Sequence, residues 1–242
     1  LSFTKKFEFG KSKTDSTKPR SVAGVSIGII NAGVSGIEER DNQGIKTGDI
    51  STSENQFFIG LSNRFSDKLS FGFTAKFYYY RLYEDVSSIS FGFDIGALYL
   101  LNENITIAAV ISDVNSKYKW DTSDLYGQDG NTTEDKFPLM KKIGFSYRLF
   151  EKKLLTAIEF ENSNAGTNIL RFGAEYNMIQ NLFIRAGLNQ MDLSNPDVPV
   201  KPSFGFSYSY LTDGLTLGID YAFVIEPYSP SDQHIVGVNV SF

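Results

Sequence analysis

The sequence predicts an all-β fold, a transmembrane antiparallel up-and-down β-barrel of about 14 strands. Three observations predict it. The stretch from Gln233 to Phe242 puts Val236, Val238, Val240 and Phe242 on one side of a strand and Ile235, Gly237, Asn239 and Ser241 on the other. A closing barrel strand needs that period of two, with hydrocarbon on one face and a polar interior on the other. On this strand alone a half-buried strand of a soluble sandwich fits equally well. The other two observations decide: the alternation recurs along nearly the whole chain, and short turns alternate with long connections.

Composition agrees with that class. The 242 residues include 21 Phe, 13 Tyr, 21 Gly and only 7 Pro, and 14% are aromatic, so strand formers abound. No run of eighteen apolar residues exists to make a transmembrane helix, and the mean hydropathy is slightly negative. A barrel has this profile, because half of each strand is polar. The absence of cysteine excludes disulfide scaffolds and thiol chemistry. A net charge of -5 and a pI near 5.0 argue against a nucleic-acid partner, whose phosphates need a basic surface.

In chain order, Leu1, Phe3, Phe7 and Phe9 share the first apolar face, interrupted by Lys5, and a polar connection runs from Gly10 to Pro19. Ala23, Val25, Ile27 and Ile29 form the second strand, and a long polar segment, 33–55, follows. The third strand carries Phe57, Ile59, Leu61 and Phe65. A tight turn at Ser66-Asp67 leads to Leu69, Phe71, Phe73, Ala75, Phe77 and Tyr79, opposed by Ser70, Gly72, Thr74 and Lys76. Beyond Glu84-Asp85 come Ile89, Phe91, Phe93, Ile95, Ala97 and Tyr99, then Ile105, Ile107, Ala109 and Ile111, joined at Asn102-Glu103.

A connection over 115–138 precedes Ile143, Phe145, Tyr147 and Leu149, and a turn at Glu151-Lys152 leads to Leu154, Thr156, Ile158 and Phe160. Leu170, Phe172, Ala174 and Tyr176 oppose Arg171, Gly173 and Glu175, and Leu182, Ile184, Ala186 and Leu188 follow. After a proline-containing loop, 190–202, come Phe204, Phe206, Tyr208 and Tyr210. The turn at Thr212-Asp213-Gly214 then delivers Leu215, Leu217, Ile219, Tyr221 and Phe223 ahead of the closing strand. Short turns beside long connections at 33–55, 115–138 and 190–202 match short periplasmic turns and long external loops. The expectation is one barrel domain over 1–242 in the outer membrane of a diderm bacterium. About thirteen strands counted back from a periplasmic end, against even strand numbers with both ends inside, predict either a further strand N-terminal to Leu1 or one hairpin split or merged in this count.

The strings VAGVSIGIINAGVSGIEERDNQG, FFIGLSNRFSDKLSFGFTAKFYY, ISFGFDIGALYLLNENITIAAVISD and LRFGAEYNMIQNLFIRAGLN, with the closing HIVGVNVSF, resemble the PorV/PorQ and UPF0164 group of outer-membrane barrels. That group is similar in fold to FadL-type channels. The resemblance covers most of the chain and rests on strand pattern and turn phrases rather than on a chemical motif. It implies a fourteen-stranded barrel that passes small hydrophobic solutes or serves type IX protein secretion. The Asn-Pro-Ala-Gly-type phrase of the family's N-terminal hatch does not stand in this sequence.

The simplest hairpin registers set Lys76 opposite Asp94, Lys142 opposite Glu161, Glu159 opposite Arg171 and Glu175 opposite Arg185. Each such pair contributes about 0.2–1 kcal/mol. Together they predict a lumen lined by balanced ion pairs, suited to a narrow or plugged interior. Mutual satisfaction of charge is the plainer reading and solute binding the sharper one. Tyr78, Tyr79, Tyr80, Tyr118 and Trp120 fit an outer aromatic girdle, and Phe65, Tyr99, Tyr176, Tyr210 and Phe242 an inner one. A path for aromatic solutes is the sharper reading of the tyrosine run.

Catalytic chemistry is scarce. His234 is the only histidine and has no Ser motif nearby, which argues against a triad. Asp121, Asp124, Asp129, Glu134 and Asp135 make an acidic loop whose spacing does not fit an EF-hand, so no metal or other cofactor is expected. Two non-enzymatic classes remain. One is a transport barrel in the lipid bilayer that admits small apolar molecules. The other is an interaction barrel that presents its loops to a secreted protein or secretion channel.

Overall fold

The computed structural model describes residues 1–11, 19–83, 86–212 and 214–241. Phe242, expected to close the last strand and its girdle, lies outside the described residues, as do Glu84, Asp85, Asp213 and most of the 10–19 connection. The strands are β1 (Ser2–Lys11), β2 (Pro19–Arg40), β3 (Lys46–Arg64), β4 (Leu69–Tyr83), β5 (Val86–Leu100), β6 (Ile105–Val114), β7 (Lys117–Asp121) and β8 (Thr132–Lys136). After them come β9 (Met140–Leu149), β10 (Leu154–Ser163), β11 (Asn168–Ile179), β12 (Leu182–Asp192), β13 (Lys201–Thr212), β14 (Leu215–Val224) and β15 (Gln233–Ser241). The only α-helix among the described residues is α1 (Ser123–Tyr126). All strands except β7 and β8 form one 13-stranded sheet in sequence order, and β7 and β8 pair separately. The predicted antiparallel up-and-down topology is therefore observed.

The chain divides into two compact units, Leu1–Ala97 with Val110–Leu139, and Leu98–Ala109 with Met140–Phe242. In the first, register places Ile27 opposite Phe3 and Ile59, and Ile59 opposite Ala75, so one face is a continuous apolar surface. Ser26, Gly60 and Thr74 line up in the same way on the other face. In the second, Ile158 stands between Phe145 and Phe172, whereas Ala157 stands between Ser146 and Gly173. This alternation is the pleat of a sheet with different media on its two sides.

Where the apolar side chains lie separates a membrane sheet from a soluble sandwich. Phe57, Ile59, Phe91, Ile95, Phe172 and Phe204 are all exposed. Among the described residues, the only buried hydrophobic side chains are Tyr78, Val86, Tyr118 and Trp120. Exposed apolar surface on this scale needs a hydrocarbon solvent.

Two connections differ from expectation. Segment 33–55 is not a loop: β2 and β3, 22 and 19 residues long, extend into it from either side, pairing from Val22 with Arg64 to Arg40 with Lys46. The turn is confined to 41–45, where the Asp41 carboxylate accepts N–H groups of Gln43 (2.8 Å) and Ile45 (2.9 Å), and Gly44 takes the left-handed φ of 79°. The polar composition concealed β-branched partners, among them Val34 with Thr52 and Ile37 with Ile50. At about 3.3 Å per residue β2 spans roughly 70 Å, well over the 9–11 residues a tilted strand needs to cross a bilayer.

Segment 115–138 is likewise structured, as the β7–β8 hairpin around α1 and a 3-10 turn, Gly127–Asp129. Left-handed Asp113 and Asn115, both at φ 61°, redirect the chain at its start. The third expected loop is observed between Asp192 and Lys201.

Candidate functional site

In the first unit the β7–β8 hairpin lies on the polar face of β3–β5. Alternation carries Lys76, Tyr78 and Tyr80 of β4 to that face, and Ser88, Ser90 and Gly92 of β5 join them. The backbone N–H of Lys119 donates to Ser88 Oγ (2.8 Å) and that of Lys117 to Ser90 Oγ (3.3 Å). Gly92 leaves the space in which Ser116 sits, since a Cβ there would stand 3.0 Å from Ser116 Cβ. Tyr118 then packs edge-on against Tyr78, Tyr80 and Phe137, with centroids at 6.3, 5.2 and 4.8 Å, and Trp120 packs against Tyr80 at 5.2 Å. Aromatic pairs in these geometries contribute about 0.5–1.5 kcal/mol each beyond their buried area.

Polar tips complete the cluster. The Tyr118 hydroxyl donates to the Glu54 carboxylate, and Trp120 Nε1 donates to Asp135 (2.6 Å). Burial holds the Tyr118 hydroxyl well above the usual tyrosine pKa, reinforced by its bond to Glu54. Beneath, Lys76 Nζ lies 2.8 Å from Asp94 and 3.0 Å from Asp113, and Asp113 also accepts from the Tyr78 hydroxyl at 3.0 Å. Beside the hairpin, Leu82, Tyr83, Val86, Leu125 and Tyr126 with Thr122 line a cleft of about 520 Å³.

In the second unit two charge clusters flank a trough of small residues. Glu161, buried, accepts from Lys142 Nζ (2.9 Å) and Arg171 Nη1 (3.1 Å), and Arg171 also holds Glu159 (2.8 Å) and Asn189 (2.7 Å). On the other side Arg185 bridges Glu175 (2.6 Å) and Asp220 (3.4 Å), and Asp220 further accepts from Ser207 and Asn239. Between them Ala157, Gly173, Gly187 and Ser203 stand in register across four strands, at the floor of a recess of about 480 Å³.

All four cross-strand pairs read from the sequence are within salt-bridge distance in the structure. Asp113, Asp220, Asn189 and Glu54 are partners that the hairpin registers do not supply. Asp113, near the end of β6, has a left-handed backbone that strand alternation does not describe, and its carboxylate lies 3.0 Å from Lys76 Nζ. Asp220 lies two strands from Arg185, beyond any single-hairpin reading.

The outer girdle is corrected. Tyr78, Tyr118 and Trp120 are buried, with Tyr80 packed against them, and only Tyr79 of the run is on the apolar face, opposite Asn55. The pleat sends neighbours in a Tyr-Tyr-Tyr run to opposite sides, so one girdle cannot hold all three. Phe65, Tyr99, Tyr176 and Tyr210 are exposed, as are Val236, Val238 and Val240. His234 lies against Tyr221, whose hydroxyl is 2.7 Å from Nδ1, and against the Phe223 ring. Of the acidic-loop carboxylates, Asp121 accepts from the Ser123 N–H (2.9 Å) and Glu134 from Lys117 (2.7 Å). Among the described residues, no group of three or more His, Asp or Glu is placed to hold a metal.

No protein-family model and no curated protein matches the chain. Solved structures do. The monoaromatic hydrocarbon channel CymD superposes with a TM-score of 0.59 at 13% identity, covering 99% of this chain and 85% of its own. The Ralstonia pickettii toluene transporter TbuX superposes at 0.57 with 13% identity, covering 92% and 77%. A Pseudomonas aeruginosa FadL homologue gives 0.57 at 12% identity, covering 92% and 69%. The chain has the fold of the FadL-type channels. In a FadL-type barrel the polar face is the interior, and both the aromatic hairpin and the ion-pair clusters stand on it. The proteins with which it shares this fold are channels and transporters rather than enzymes.

Proposed function

We propose that this protein is a non-enzymatic outer-membrane channel that passes small, uncharged hydrophobic molecules. The observation that carries this reading is the way interior charge is cancelled beside aromatic surface. Lys76, Arg171 and Arg185 each hold two carboxylates, and Lys142 holds Glu161. Such a wall offers little to attract an ion, because each of these four cations already has its counter-charge at contact distance. The cleft at Leu82, Val86 and Leu125 and the neighbouring aromatic cluster offer apolar contact instead. The fold shared with hydrocarbon channels supports the same solute class.

The test is uptake of radiolabelled toluene by a diderm host that lacks its own hydrocarbon channel, with and without this protein. Increased toluene uptake with unchanged uptake of benzoate, the charged analogue, supports the reading. Equal stimulation of both sinks it.

A second reading, an accessory barrel of type IX-like secretion, is favoured by one feature. The β2–β3 ribbon extends well beyond the bilayer and exposes Ile30, Val34 and Ile45, which suits contact with a protein. Replacing 34–52 by a four-residue turn, which spares Glu54, leaves toluene uptake intact under the first reading and abolishes export of a secreted protein under the second.

A further inference from the structure

The hairpin from Ser116 to Phe137 is joined to the sheet differently from every strand beside it. Its backbone ladder is internal, pairing Lys117 with Lys136 through to Asp121 with Thr132. It meets the sheet through the rings of Tyr118, Trp120 and Phe137, the hydroxyls of Ser88 and Ser90, and the Tyr118–Glu54 bond. Strand β8 is exposed along its full length. The hairpin can therefore lift away without breaking a rung of the 13-stranded sheet.

The point of attachment is built as a pivot. Asp113 and Asn115 both have left-handed backbones, and Asp113 is pinned on three sides: its N–H donates to Asp94 (3.0 Å), and its carboxylate takes Lys76 and Tyr78. Beyond Asn115 no comparable ionic anchor to the sheet follows among the described residues. The seat is also prepared, for Gly92 leaves room for Ser116 that any side chain would fill.

We propose that the 116–137 hairpin is a movable gate in the barrel interior, pivoting at Asp113 and Asn115 and latched by Tyr118 on Glu54. This rests on the reading above, in which the polar face lines the passage. Closed, the hairpin fills the space over the β4–β5 wall. Open, it exposes the faces of Tyr78 and Tyr80 to the passage.

The chain contains no cysteine, so a disulfide lock is free of background. G92C/S116C places its Cβ atoms near the roughly 3.8 Å that a disulfide prefers, after a shift of less than an ångström. The lock is read as KCl conductance of the purified protein in planar phosphatidylcholine–phosphatidylglycerol bilayers. Oxidised protein is expected to lose its opening transitions and recover them on reduction. Y118F, which keeps the ring and removes the latch, is expected to shift the equilibrium toward open by about tenfold. It should also raise acrylamide quenching of Trp120, the only tryptophan.

Conductance unchanged by oxidation overturns the gate. If G92C/S116C does not assemble, Y118F decides: unchanged openings and quenching overturn the gate too. Wild-type toluene uptake with a lock that has no effect sinks the gate and spares the transport reading. Lock-sensitive conductance without toluene uptake sinks transport and spares the gate.

Discussion

Replacing Glu161 by glutamine should destabilise the barrel by about 2 kcal/mol, and the neighbouring Glu159→Gln by less than about 1 kcal/mol. The difference follows from solvent. The Glu161 side chain is 5% exposed and accepts from both Lys142 and Arg171, whereas Glu159 is 40% exposed and shares only Arg171 with it. Removing one member of a fully buried pair costs about 3–5 kcal/mol, and an exposed pair contributes about 0.2–1 kcal/mol. Lys142 and Arg171 remain 27% and 28% exposed, so water compensates part of the loss and the value falls between those limits. A loss of about 2 kcal/mol is roughly a thirtyfold change in the unfolding equilibrium. Reversible urea unfolding in lipid vesicles, followed by far-UV circular dichroism, reads it directly. Equal effects of the two substitutions, or an E161Q effect below about 0.5 kcal/mol, would show that burial does not set the strength of this cluster.

Two further outcomes are expected. Asp41→Ala removes both carboxylate bonds that close the β2–β3 turn and should cost about 1–2 kcal/mol locally, seen as faster protease cleavage between 37 and 46 with the rest of the barrel intact. The hairpin should hold from mildly acidic to mildly alkaline pH, as read by quenching of Trp120. The Lys117 ammonium holds Glu134 below its usual 4.5, so that contact is complete above 4.5 and lost as pH falls further through the lowered value. Burial, Glu54, Tyr78 and Tyr80 raise Tyr118 above 10.0, so its contribution is complete below 10.0 and declines as pH rises beyond it. Quenching that begins to rise between pH 6 and 8 would contradict both assignments.

The sheet was legible because its signal is local: a period of two runs through most of its strands, and most hairpin registers follow from the turns. The same arithmetic placed Lys76 with Asp94 and Glu175 with Arg185. What escaped was written in exceptions to that period. Asp113 and Asn115 leave strand geometry, so neither the Lys76–Asp113 contact nor the inward path of the hairpin could be read from alternation. The Asp41-Asn42-Gln43-Gly44 turn was present in the sequence, but Glu38, Glu39 and Arg40 beside it gave the segment a polar look. Tyr78 and Tyr80 were already on the polar face by the alternation that put Lys76 there. A single girdle of three consecutive tyrosines conflicts with that alternation.

The most direct test is a scan of single cysteines along β11, Asn168–Ile179, in the cysteine-free chain, each spin-labelled in a bilayer and probed with oxygen and a nickel chelate. The account predicts high oxygen access at Leu170, Phe172, Ala174 and Tyr176, and high nickel access at Arg171, Gly173 and Glu175. Uniform access along the strand, or the two probes interchanged, would contradict it.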